Sequence, residues 1–124
     1  MSRFERFEDI VAWQKARVLV AEGYKTSNDG KFAKDFGLKD QFRRAAVSVM
    51  SNIAEGFARR TNKEFTRFLF ISHGSVAEVQ SLLYVALDQN YINDTLFKTL
   101  YEACDEISKM ISGLISYLEG VERG

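Results

Sequence analysis

This chain of 124 residues has no proline, one cysteine and one histidine, and its formal net charge is zero. Without proline, helices can run long, because proline ends or kinks them. The lone Cys104 excludes an internal disulfide framework and fits a reducing cytoplasm. With His73 as the single histidine, the Glu-x-x-His pairs that build diiron bundles do not occur. No apolar run approaches the ~20 residues of a membrane span. The opening "MSRFERFEDI" mixes charges and lacks the apolar core of a signal peptide. There is no glycine-rich phosphate loop. No cofactor, metal or membrane partner is expected from these absences.

What is present is an ordinary globular composition, 46% hydrophobic, in a length that suits one domain with one core. Charge is unevenly distributed. Residues 43–67 carry Arg43, Arg44, Arg59, Arg60, Lys63 and Arg67 against Glu55 and Glu64. From residue 68 onward acids dominate, with Lys98, Lys109 and Arg123 set against Glu78, Asp88, Asp94, Glu102, Asp105, Glu106, Glu119 and Glu122. The neutral total argues against a protein that coats nucleic acid, while the basic segment keeps local phosphate contact in view.

Apolar periodicity predicts four helices. The first spans about 9–25, with Ile10, Trp13, Ala16, Val20 and Tyr24 on one face. Gly23, near its end, would allow close packing. "TSNDGKFAKDFG" forms the first connection, rich in turn formers, and its Phe32 and Phe36 are expected to fold back on the bundle. The second helix spans about 38–57, with Leu38, Phe42, Ala45, Val49, Ile53 and Phe57 inward. Thr61 and Glu64 have capping-box spacing, so the third helix covers about 62–89. Asn93 or Asp94 caps a fourth over 95–119. There Leu96, Leu100, Ala103, Ile107, Met110, Leu114, Tyr117 and Val121 form a heptad seam. Four such helices with short connections predict an all-α, up-down-up-down four-helix bundle. A second row on the fourth helix, Phe97, Cys104, Ile111 and Leu118, and a third helix apolar nearly all round exceed what one small core needs. This surplus predicts self-association.

Four stretches carry a family likeness: "FEDIVAWQKA" (7–16), "FGLKDQFRRAAVSVMSNIAEGFARR" (36–60), "EFTRFLFISHGSVAEV" (64–79) and "NYI" (90–92). They resemble the four-helix-bundle proteins encoded in intervening sequences of bacterial 23S ribosomal RNA genes, a group that includes the accessory variability protein of diversity-generating retroelements. The most specific part is Gln41, Arg43, Arg44, Ala45, Ser48 and the run Asn52–Gly56, followed by Arg67, Phe68, Gly74, Ser75 and Glu78. The resemblance implies a left-handed bundle assembled as a homo-oligomeric ring, typically a pentamer. It also implies RNA, DNA or a nucleic-acid-processing protein such as a reverse transcriptase as partner, with no enzymatic activity. This chain departs from many relatives in lacking proline in "GKFAKD" and in having Met50 where they have proline.

Three groups of residues are candidate sites. Arg43, Arg44, Arg59, Arg60, Lys63 and Arg67 could contact phosphate. Structural pairing is the favoured alternative, because Asp40–Arg44, Glu55–Arg59 and Arg60–Glu64 all have i,i+4 spacing. Arg44, Ser48, Asn52, Glu55 and Arg59 share one helical face. With Ser75 and Glu78 opposite, Ser48, Asn52 and Glu55 read as a polar network that sets helix register rather than as a ligand site. Arg67 and His73, in "RFLFISH", are similar to the Arg-x5-His motif of HEPN-type ribonucleases, the one enzymatic alternative. Six residues turn a helix by about 600°, so the two side chains should not share a face.

Overall fold

A computed structural model of the chain describes residues 4–123. Among the described residues it forms four α-helices and no strand: α1 Val11–Ser27, α2 Phe36–Ala58, α3 Asn62–Asp88 and α4 Asp94–Arg123. Short 3₁₀ turns at Phe7–Asp9 and Phe32–Lys34 precede α1 and α2. Each helix packs on its neighbours in sequence, and α1 closes the four-helix bundle against α4.

Local chemistry explains the helix starts. α1 begins two residues later than expected because Phe7–Asp9 turn as a 3₁₀ helix, followed by an extended Ile10. α2 begins two residues earlier, where Asp35 caps it by accepting from the Leu38 amide at 3.1 Å. The same carboxylate accepts from the Tyr91 hydroxyl at 2.9 Å, tying the α1–α2 connection to the α3–α4 turn. Thr61 Oγ1 caps α3 by accepting from the Glu64 amide, and Asn93 Oδ1 caps α4 through the Leu96 amide. α3 ends in a Schellman arrangement: Asn90, at φ 62, donates to Leu87 O, and Tyr91 donates to Ala86 O.

The core is built from Phe42, Val49, Ile53, Leu69, Val76, Val79, Leu83, Ile107, Ile111 and Leu118, all essentially inaccessible. Burying side chains of this size contributes roughly 1.5–3 kcal/mol each. Phe32 is also fully buried, between Phe42 and Tyr91 at centroid distances of 5.5 and 5.6 Å. Phe36 stays 73% exposed instead of folding back.

Two predicted faces are rotated. On α1 the buried stripe is Ala12, Ala16, Leu19 and Gly23, while Tyr24 is exposed and Trp13 and Val20 are only partly covered. Small residues win because α2 comes close: a β-carbon on Gly23 would lie 3.3 Å from the Phe42 ring. On α4 the supposed surplus row supplies core residues: Cys104, Ile111 and Leu118 are fully buried within the chain. Met110 and Leu114 of the expected seam are half-buried, and Tyr117 and Val121 are exposed. The two rows adjoin on the helix, and the bundle axis falls between Leu100–Ile107 and Cys104–Ile111. That row is spent on the chain's own core and leaves nothing over for a second copy at Cys104, Ile111 and Leu118.

On α3 the surplus persists. Phe65, Leu69, Val76 and Leu83 face inward, yet Phe70 is 55% and Ile71 43% exposed. α3 is in fact long and apolar enough, by length and composition, to cross a membrane, contrary to the expectation of no such run. Here its inward side is packed between α2 and α4.

Candidate nucleic-acid interface at the α2–α3 elbow

The six basic candidates separate into two groups. Arg43 and Arg44 lie in the first half of α2. Arg43 donates from Nε to Ser27 Oγ at 2.8 Å and from Nη2 to Tyr24 O at 3.3 Å, with its guanidinium over the Tyr24 ring. It thus satisfies the carboxyl end of α1, where a cation is favoured by the helix dipole. Arg44 pairs with Asp40 at 2.9 Å on the surface.

The other four meet at the elbow where α2 turns into α3. Arg59 reaches Glu55 at 3.2 Å and Glu64 at 3.9 Å. Arg67 holds both Glu64 oxygens, at 3.1 and 3.2 Å. Both guanidiniums rest over the Phe68 ring, 4.9 and 4.5 Å from its centroid. The Arg67 hydrogen bond holds the Glu64 carboxyl below its usual range, and the same bond raises Arg67. The predicted Arg60–Glu64 pair is not formed. Arg60 occupies the left-handed position after α2, at φ 70, with its amide donating to Phe57 O, and Arg59 and Arg67 take Glu64 instead. Arg60 and Lys63 are exposed and have no ion-pair partner among the described residues.

The polar face of α2 joins α3 as a hydrogen-bond chain. Asn52 Nδ2 donates to Ser48 Oγ and Ser48 O, both at 2.9 Å, and the Ser48 and Ser75 hydroxyls are 2.7 Å apart. Ser72, which the sequence reading missed, is fully buried and donates to Val49 O at 2.7 Å. Its only signal was its place one turn before Ser75. Glu55 belongs to the elbow ladder, and Glu78 is exposed on α3 outside this chain of bonds. Towards the elbow Gly56 lies against Phe68, and Phe57 packs edge-on against Phe65 at 5.8 Å.

Arg67 and His73 are not brought together. His73 Nε2 is 2.9 Å from Ser108 Oγ of α4, whereas Arg67 lies on the α2 flank with Glu64 and Phe68. Burial pushes the Cys104 thiol up to about 12, so it is not a thiolate at neutral pH. Among the described residues no cluster of three metal-ligating side chains occurs.

The family model of the 23S rRNA-intervening sequence protein matches residues 8–113. The chain belongs to that family. A crystal structure at 1.70 Å of a protein with unknown function from the S23 ribosomal protein family, from Bacteroides thetaiotaomicron, is similar to this family member. The TM-score is 0.77 at 20% identity, covering 84% of this chain and 97% of the other. At that identity the likeness is one of fold. No curated protein matches the chain.

Proposed function

We propose that this intervening-sequence protein is a non-enzymatic, self-associating scaffold of the cytoplasm. In this reading it is an up-down-up-down, left-handed bundle whose copies assemble as a ring, five in the form that the family resemblance implies. Its client is RNA, DNA or a nucleic-acid-processing protein such as a reverse transcriptase.

One observation carries the reading: the outer face of α3 displays Phe70 and Ile71 beside exposed Gly74 and Ala77. A soluble helix normally keeps such a face polar. Large side chains next to small ones also let a second helix approach closely. The order of contacts supports the topology, since Phe65, Phe68, Ser72 and Ser75 meet Phe57, Gly56, Val49 and Ser48 in turn. The elbow favours a scaffold over a phosphate grip, because Glu55 and Glu64 already engage Arg59 and Arg67.

Sedimentation of Phe70→Glu and Ile71→Glu variants tests the surface. Each is expected to lower the sedimentation coefficient while leaving the helical circular dichroism unchanged. Unaltered sedimentation of both would remove α3 from the interface.

A further inference from the structure

A second surface, separate from Phe70 and Ile71, lies where α3 and the start of α4 meet. Tyr84, Phe97 and Tyr101 form a triad of rings with centroids 4.9, 5.4 and 5.8 Å apart. Tyr84 is 50% exposed, while Phe97 and Tyr101 are partly covered and pack on the core. Gln80 Nε2 donates to Asp105 Oδ1 at 2.9 Å and also reaches Tyr101 O at 3.4 Å, which fixes a carboxylate beside the rings. Asp88 lies one turn beyond Tyr84, Asp94 lies one turn before Phe97, and Glu102 adjoins Tyr101; all three are exposed. Against these four acids stands Lys98.

The molecule itself shows what such a combination holds. At the elbow, Phe68 with Glu55 and Glu64 receives the guanidiniums of Arg59 and Arg67, stacked on the ring and bonded to the carboxylates. The triad has similar chemistry, an aromatic face with the Asp105 carboxylate beside it and three further acids at neighbouring positions of the chain, and no cation of the described residues stacks on its rings. An arginine gains there twice: from the ring quadrupole and from bidentate pairing with a carboxylate. Tyrosine and arginine are also both among the residues enriched at the energetic centres of interfaces.

We propose that the Tyr84–Phe97–Tyr101 patch docks an arginine-bearing segment of a partner polypeptide. The acidic rim selects a basic segment, and the rings select arginine over lysine. Self-association through Phe70 and Ile71 is not required for it.

The test uses the full chain and two labelled probes, nona-arginine and nona-lysine, followed by fluorescence anisotropy at physiological salt and by amide NMR shifts. Nona-arginine is expected to bind more tightly than nona-lysine, with shifts clustered at residues 80–105. Tyr84→Ala is expected to weaken the arginine probe about tenfold, the scale of one cation–π contact, with little effect on the lysine probe. Tyr84→Phe, which keeps the ring and the packing, should bind as the parent does. Equal binding of the two probes, or binding indifferent to Tyr84→Ala, would leave only charge and overturn the proposal. A Tyr84→Ala change in oligomer mass would assign the patch to a second copy and overturn it as well.

Discussion

Gly56 of α2 and Phe68 of α3 are in such close contact that a β-carbon on Gly56 would stand 2.5 Å from the Phe68 β-carbon. Gly56 also lies 3.3 Å, by the same construction, from both the Phe65 ring and Phe65 O. No flexible side-chain end can swing away from such a contact, so one helix must shift. Gly56→Ala would gain up to about 1 kcal/mol in helix propensity and lose more through overpacking. The expected net effect is a destabilisation of about 1–2 kcal/mol, read as a lower midpoint in urea unfolding at an unchanged m-value.

Arg60 sets the other limit of the elbow. Its backbone is left-handed, at φ 70, a region that costs a non-glycine residue roughly 1–2 kcal/mol. Arg60→Gly relieves that cost but adds freedom to the unfolded chain. The balance predicts a gain of about 0.5–1 kcal/mol. A lower denaturation midpoint for Arg60→Gly would show that the Arg60 side chain makes a stabilising contact.

Asp35 and Tyr91 link the two connections at the opposite end. The bond from Tyr91 to Asp35 raises the phenol above its ordinary value, with burial and the carboxylate charge adding to the effect. A phenol that holds its proton more tightly when folded stabilises the fold below its unfolded pKa. That contribution is lost as pH rises through the raised folded value. Stability is therefore expected to fall above about pH 10, and Tyr91→Phe should flatten part of that decline. Tyr101, raised chiefly by Tyr84, accounts for a remainder. Asp35→Ala removes the cap of α2 as well, at a cost of about 1 kcal/mol, and a melt at neutral pH reads this.

The elbow also bounds any grip on nucleic acid. Arg59 and Arg67 are engaged by Glu55 and Glu64, which leaves Arg60 and Lys63 as the cations of the elbow without an ion-pair partner among the described residues. Two phosphate contacts per copy give a salt slope of about −1.4 for single strands and −1.8 for duplex. A titration of RNA binding against salt checks this. A much steeper slope per copy would mean that Arg59 and Arg67 leave their carboxylates for phosphate.

Much of this was legible in the amino-acid order. Thr61 announced its cap, Asn93 is the one of the pair Asn93 and Asp94 that caps α4, and the α2 stripe from Leu38 to Ile53 is buried as read. The Asp40–Arg44 and Glu55–Arg59 spacings became ion pairs. The failures share a cause: periodicity gives a helix's apolar arc but not where the bundle axis cuts it. On α4 two adjoining rows were both apolar, and packing alone decided between them. On α1 the axis faces alanine and glycine, because Phe42 supplies the bulk from α2. Asp35 was missed as a cap because the apolar pattern of α2 starts only at Leu38. Around Asn52, the bonds to Ser48 and on to Ser75 reach across to α3.

The mass of the unmodified protein in solution tests the scaffold most directly. Native mass spectrometry or light scattering at tens of micromolar is expected to give one species of several copies of the 14.2 kDa chain, five if the ring is as the family resemblance implies. A stable monomer of 14.2 kDa across that range would contradict the account.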